Sequence, residues 1–453
     1  MAGYPKKTPA GDAGASSLGR RAFLSGMLAT ACVPSALAAA QSAQPEAATR
    51  PGRESSQLNI ADLELVQLSG HYEAEAGVNN QYQVNQLDVY DDYRRPVYHD
   101  QDKGKKQVAL REIYLRIRTK QGLDGLYGPI DEEAAIVVRR QLRPFLLGKD
   151  ALAGETLWDE SYRSDRHARS GIYLIAISAV DNAVWDLRAR FYGVPVYRLL
   201  GGPTRKSVEV YGSCLGFSVE PEAVKARCQE VRSQGFRRQK WFLAYGPGEG
   251  EEGMHKNVEL VRVLRETLGE DMDLMFDAFN GWDLGYAIEW ARRVEQYRPR
   301  WIEEPMLSEK IESFSTLRRS ISIPVAAGEH FGGRWEVERF LQAEGLSVVQ
   351  ADPEWCGGTS ELLKIGAVAS AHDIPVIPHG HSIHAALHVI ASQSPMTFPM
   401  AEYLINKMQS YYHFEKNAPV PVDGHLALPT GPGYNIELDP AKIEHTQLLT
   451  WED

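Results

Sequence analysis

Hydrophobic positions change their period twice along this chain. From Leu58 to about Gly125 they alternate with polar ones. The run Val108 to Arg118 reads apolar-in, polar-out along a strand and stops at a turn around Gly122. Over 131–200 the spacing becomes helical, and Ile172 to Arg190 carries apolar residues every three or four positions, with Asp181, Trp185 and Asp186 among them. Strands followed by helices predict a small α+β domain over 58–205. From Ser207 onward short apolar runs alternate with amphipathic stretches. The runs at 207–212, 236–243, 272–277, 300–303, 323–328, 347–351, 375–378 and 398–401 read as strands. The stretches at 255–268, 284–297, 334–344 and 359–371 read as helices. That βα rhythm predicts a parallel α/β barrel over 206–404. After Lys407 the chain is rich in Pro and Gly and reads as loop.

The first 57 residues belong to neither pattern. Lys6, Lys7, Arg20 and Arg21 precede an apolar stretch from Ala22 to about Val33, and small residues at 36–40 suit signal cleavage. The stretch is too short for a membrane span of about 20 residues. Arg20-Arg21-Ala22-Phe23-Leu24 reads as a twin-arginine export signal, so 1–40 is expected to be removed and the protein to be periplasmic. Residues 41–57 read as a linker. Cys32 would be an alternative lipid anchor, but Ala29-Thr30-Ala31 is a poor sequence for one.

Composition narrows the partners. The 453 residues carry a net charge of −11, which argues against nucleic acid or an anionic membrane as the main partner. It does not exclude an anionic small molecule, because a bound cation reverses the field locally. Once the signal is removed, Cys214, Cys228 and Cys356 remain, an odd number at wide spacing, so no disulfide framework is expected.

The chemistry lies at the strand ends. Asp277, Glu303, Glu329, Asp352, His379 and Glu402 each close a predicted strand, at spacings of 26, 26, 23, 27 and 23 residues. One βα unit takes about 25–30 residues, so each group arrives as the chain returns to the same rim. Charges after apolar strands are costly unless paired. Three neighbouring carboxylates repel one another unless a divalent cation sits between them, and three hard oxygen ligands suit Mg²⁺. Asp352 beside His379 would orient the ring and raise its basicity, as a general base needs. Glu402 would face that base and could hydrogen-bond to a developing oxyanion.

These residues resemble the enolase superfamily, in its mandelate racemase subgroup, and most closely the L-rhamnonate dehydratase family. The resemblance covers roughly 60–440. Tyr-Gly-Pro-x-x-Gly at 245–250, Gly-Glu-His at 328–330, Gln-x-Asp-x-x-Trp-Cys-Gly-Gly at 350–358, Pro-His-Gly at 378–380 and Pro-Val-x-Gly at 421–424 carry it. It implies a modified (β/α)₇β TIM barrel under an α+β cap, with 405–453 completing the cap. It implies Mg²⁺ on Asp277, Glu303 and Glu329, with Glu304 not the expected ligand. His379 would abstract the proton α to a carboxylate with Asp352 as partner, and Glu402 would steady the intermediate. His330 and Lys240 would contact a sugar-acid substrate. A homo-oligomer is also implied.

Two features depart from the pattern. Many members carry Lys-x-Lys on the second barrel strand; here Lys240 matches the first lysine and Phe242 replaces the second, the opposite-face base of racemases. One-face elimination of water therefore fits better than racemisation. Specificity is expected in the cap loop 71–105, which holds His71, Arg94, Arg95 and His99, with Arg94 and Arg95 taken as substrate contacts. The alternatives are an epimerase or cycloisomerase of an acid sugar, and a non-catalytic periplasmic binding protein on the same scaffold. The second should have lost ligands or base, and all six rim groups are present.

Overall fold

The computed structural model describes residues 57–77, 80–98, 104–167 and 169–451. The signal sequence, Cys32, nearly all of the linker and His99 lie outside the described residues. No helix among the described residues is long and apolar enough to cross a membrane.

Two sheets organise the chain. The first is antiparallel, in the order β12-β1-β2-β3: β1 (Ile60–Glu75), β2 (Lys105–Thr119), β3 (Asp124–Ile130) and β12 (His445–Leu448). β12 comes from the far end of the chain and pairs with β1 at Val66↔Leu448. Short helices α1 (Glu132–Val137), α2 (Arg143–Leu146), α3 (Gly154–Ser164) and α5 (Val196–Leu199) flank the long α4 (Gly171–Tyr192). α4 is buried on nearly every face, as expected of a helix whose apolar residues are not confined to one stripe. It ends where Gly193 takes a left-handed φ of 68° and its N–H closes back on Ala189 and Arg190, a conformation glycine adopts without a Cβ clash.

The second sheet is parallel along the path β10-β4-β5-β6-β7-β8-β9. Its strands alternate with helices: β4 (Ser207–Ser213), α6 (Pro221–Ser233), β5 (Arg238–Phe242), α7 (Gly250–Leu268), β6 (Asp273–Asp277), α8 (Leu284–Val294), β7 (Trp301–Glu303), α9 (Ile311–Ser320), β8 (Val325–Ala327), α10 (Arg334–Gln342), β9 (Val348–Val349), α11 (Gly358–Ala371), α12 (His384–Ser392) and β10 (Ala401–Leu404). α13 (Ile405–Tyr411) and β11 (His425–Ala427) follow, β11 adding antiparallel to β4. Tyr211, Met275, Trp301, Ala326, Val348, Ile377 and Met400 fill the interior beneath the rim.

Two strands differ from expectation, both because of proline. The run 375–378 forms only a single parallel bridge, Val349↔Val376, since Pro375 and Pro378 on either side offer no N–H to a ladder. The last strand begins at Ala401 rather than 398, past Pro399. Glu402 therefore lies within β10, at the register of Tyr211, and not just beyond a strand end.

The polar residues buried on α4 tie the helix to the barrel. Asp181 accepts from the Ser360 N–H and hydroxyl at 2.8 and 2.7 Å, and Trp185 Nε1 donates to Ser360 Oγ at 2.8 Å. Asn182 donates to the Pro353 carbonyl at 3.1 Å and accepts from Thr359 N at 2.9 Å. Pro353 follows Asp352, so this clamp sets the loop that carries the acid. Replacing Asn182 with Ala strands a buried carbonyl and a buried N–H. We predict a loss of about 2–4 kcal/mol, read as a lower urea midpoint at unchanged slope; an unshifted midpoint would refute the clamp.

Candidate active site

The six rim groups are all buried, and the strand register sets their heights. Phe242, Asp277, Glu303 and Ala326 are successive ladder partners, so Asp277 and Glu303 share one layer. Lys240 stands two residues earlier on β5, beside Met275, and reaches up into the acids. Its Nζ lies 3.2 Å from Asp277 Oδ2 and 2.8 Å from Glu402 Oε1, and contacts Glu303 Oε1 directly. Burial alone would lower the Lys240 pKa; Glu303, Glu402, Tyr211 and Asp277 together drive it well above the usual amine range. The ammonium therefore stays charged. Burial tends to raise the Glu402 pKa, but Lys240 and His379 hold it below the usual carboxylate range.

One ammonium does not neutralise this rim. The Glu303 carboxylate is taken up by Lys240 and by Trp301 Nε1 at 2.9 Å. The adjacent Glu304 turns toward Glu329 through a left-handed φ of 40°, and Asn280, at φ 59°, donates to it at 2.6 Å. Strained backbone of this kind collects at working sites. Glu304 and Glu329, with His330, bring ligand atoms within 4.8 Å of one another. Burial first, and then neighbouring acids including Asp277, push the Glu304 pKa well above the usual range; burial likewise raises that of Glu329, with Glu304 and Asp277 adding to it. Buried, crowded oxygen ligands that resist ionisation are what a hard divalent cation would relieve, so the donor set fits Mg²⁺.

The imidazole is poised against this acid group. His379 Nδ1 is 2.7 Å from Asp352 Oδ2, and Nε2 lies 3.6 Å from Glu329 Oε2. Asp352 also accepts from the N–H groups of Glu354 at 2.6 Å and His381 at 3.2 Å, which fixes the carboxylate. A carboxylate that accepts these bonds takes the Nδ1–H of His379 as well, so Nε2 is the nitrogen at which the ring gains and loses its titrating proton. Burial would lower the His379 pKa; Glu329, the Asp352 hydrogen bond and Glu402 outweigh it and hold the value at about 9. Trp355 walls this side, stacking on His379 at 5.0 Å and on His330 at 5.2 Å. His330, its ring nearly half exposed, reaches Glu329 at 3.3 Å and Glu304 at 3.6 Å; partial desolvation, then the nearby His379, pull its pKa down.

The two cap arginines lie elsewhere. Arg94 donates to the Asp88 carbonyl at 2.8 Å and pairs with Asp91 at 2.6 Å and Glu249 at 3.6 Å. Arg95 lies 4.0 Å over the Tyr82 ring and lines a cavity of about 450 Å³ with Tyr245, Lys256 and Asn257, none of them a rim group. His71 pairs with Glu444 across the cap sheet at 2.9 Å. The sequence reading missed Asn280, Trp355 and His381, and set Glu304 aside. Glu304 was visible as the second acid of Glu-Glu-Pro, but only its left-handed backbone turns it toward Glu329.

Comparison with known proteins agrees with this geometry. Residues 223–442 match the family described as enolase C-terminal domain-like, and residues 104–201 match the mandelate racemase / muconate lactonizing enzyme N-terminal domain. An L-rhamnonate dehydratase of Saccharopolyspora erythraea is 34% identical over 342 residues, which is 73% of this chain and 84% of the relative. The crystal structure of rhamnonate dehydratase from Gibberella zeae complexed with Mg superposes with a TM-score of 0.71 at 25% identity, covering 85% of this chain and 95% of that one. The 3,6-anhydro-D-galactonate cycloisomerase of Zobellia galactanivorans gives 0.67 at 27% identity, covering 85% and 99%.

The acid group also dictates a pH response. Glu304 and Glu329 hold their protons above the ordinary 4.5 when folded, so above that pH the folded chain binds more protons than the unfolded one and stability falls as pH rises. His379, raised from 6.5 to about 9, contributes stability that is complete below 6.5 and lost through about 9, the same direction. Mg²⁺ requires the ionised carboxylates. The rise in Tm on adding Mg²⁺ should therefore grow from about pH 5 to about pH 9. A Mg²⁺ shift of equal size at every pH would contradict a cation held by these acids. Sequence match, fold and site together establish that the chain belongs to the enolase superfamily, in its mandelate racemase subgroup.

Proposed function

We propose that this chain is a Mg²⁺-dependent dehydratase of an acid sugar, of the aldonate, rhamnonate-like type, giving a 2-keto-3-deoxy acid. The observation that carries this reading is the oriented pair Asp352–His379, with the second imidazole nitrogen, Nε2, turned toward the acid group at 3.6 Å from Glu329. The 34% identity to an L-rhamnonate dehydratase supports the substrate class.

Asp277, Glu303 and Glu329 would hold the cation, with Glu304 alongside. When bound, Mg²⁺ supplies charge that stabilises the carboxylate as it gains electron density. His379 Nε2 takes the proton from the carbon next to that carboxylate, and Asp352 keeps the ring in the required tautomer. The C–H electron pair moves toward the carboxylate, then returns to expel the hydroxyl of the neighbouring carbon. Protonated His379 lies on the same face and can return its proton, so the group leaves as water. The remaining enol becomes the 2-keto-3-deoxy acid. Lys240 pairs with Glu402 within the acid group and holds its pKa down, so that Glu402 would steady the intermediate. Among the described residues no second base faces His379: Phe242 stands where the second lysine would be, and Lys240 is closed in by three acids. That favours elimination over racemisation.

Incubating the mature protein and Mg²⁺ with a panel of aldonic and aldaric acids, and scoring product with semicarbazide, tests this. Dehydration should fall by about 10²–10⁴ in His379→Asn. Glu303→Gln should weaken Mg²⁺ binding more than Glu304→Gln; the reverse order would move the ligand role to Glu304. Exchange of the α-proton with D₂O without loss of water would point to an epimerase or cycloisomerase. Neither product nor exchange across the panel would sink the reading. The export signal at 1–40 is proposed to place the enzyme in the periplasm, which fractionation of cells with and without Arg20-Arg21→Lys-Lys would check.

A further inference from the structure

A second histidine stands two residues after the base, and the mechanism above does not use it. His381 packs against Trp355 at 4.8 Å with the rings tilted by 48°, and its backbone N–H donates to Asp352. Its ring meets Tyr411 edge-on at 5.5 Å. Lys407, on α13, sets its Nζ 2.6 Å from His381 Nδ1 and 2.9 Å from the His381 carbonyl. A lysine ammonium only donates, so Nδ1 accepts and the proton resides on Nε2. His381 is thus a fixed, neutral ring with one free N–H edge.

That edge faces the cap. His381 Nε2 lies 3.7 Å from Asp131 Oδ1, beyond hydrogen-bond length. Asp131 occupies the N-cap position of α1, where an aspartate ordinarily accepts from the helix's first N–H groups, yet its side chain makes no capping bond. Among the described residues no N–H or O–H donates to this carboxylate. It remains 39% exposed, whereas the His381 side chain is 16% exposed. The result is an acceptor from the cap and a donor from the barrel, separated by a gap that one hydroxyl oxygen can bridge by accepting from Nε2–H and donating to the carboxylate.

We propose that Asp131 and His381 form a hydroxyl-recognition pair for the polyol tail of the substrate, with Lys407 as the positioning residue that fixes the His381 tautomer. This rests on the acid-sugar reading above. It places specificity at the junction of β3 with the last two barrel units, apart from Arg94 and Arg95.

Binding separates this inference from the catalytic reading. In a His379→Asn background with Mg²⁺, calorimetry would measure six-carbon aldonic acids and their monodeoxy analogues. Asp131→Asn should weaken the acids about tenfold to a hundredfold, the range for a hydrogen bond to a charged group. The one analogue lacking the recognised hydroxyl should change by less than about threefold, since it has no such bond to lose. His381→Gln should repeat that pattern, and the double variant should add little to either single one. In the active enzyme the same substitutions should raise KM more than they lower kcat. Equal weakening of every acid and analogue would show a structural role and overturn the pair, as would no change at all. Dehydration by the wild type without this coupling would overturn the pair alone; absence of both binding and turnover would overturn the pair and the acid-sugar reading together.

Discussion

Buried negative charge at the barrel mouth is the constraint on which the rest of this structure depends. Asp277, Glu303, Glu304, Glu329 and Glu402 converge there, none of them more than 4% exposed. A buried charge without a partner costs several kcal/mol, so such a group cannot persist by packing alone. Lys240 answers part of it, taking Glu303, Glu402 and one oxygen of Asp277 from below. Even so, burial keeps the pKa values of Glu303, Glu304 and Glu329 above the usual carboxylate range. Lys240 thus neutralises one part of the acid group, and the part it leaves is what a bound divalent cation would neutralise.

The aromatic and helical supports follow from that constraint. An imidazole beside so much charge must be kept from collapsing onto the acids if it is to serve as the proposed general base. Asp352 holds one nitrogen of His379, and Trp355 holds the face of its ring. Asp352 is in turn held by the backbone N–H groups of its own loop and of the His381 loop. α4 anchors that loop from the cap side through Asn182 and Asp181. The cap is therefore more than a lid. Its central helix sets the loop whose Asp352 orients His379.

The barrel was legible in the sequence because parallel strands buried on both faces leave continuous apolar runs, and because the repeat length brings each strand end back to one rim. Its weakest strands were not, since Pro375, Pro378 and Pro399 interrupt the ladder where hydrophobicity alone predicts pairing. Asp181, Trp185 and Asp186 read as unusual polar positions in an apolar helix. Arg190, four residues after Asp186, is the partner a helical pattern shows; Ser360 and Tyr434 come from remote segments and are not.

What the sequence determined by itself was the order of the strands, the identity of the rim groups and the dyad, because those depend on hydrophobic period and spacing along one chain. What only the tertiary structure decided was direction. Glu303 turns inward to Lys240 while its neighbour Glu304 turns to Glu329, through a φ of 40° that no residue type announces. Arg94 and Arg95 close on the cap loop and its flanking cavity, and Asp131 gives up its helix cap to face His381. Each of these depends on which groups from distant segments meet, and on how their charges and hydrogen bonds balance there. Spacing along the chain does not encode that.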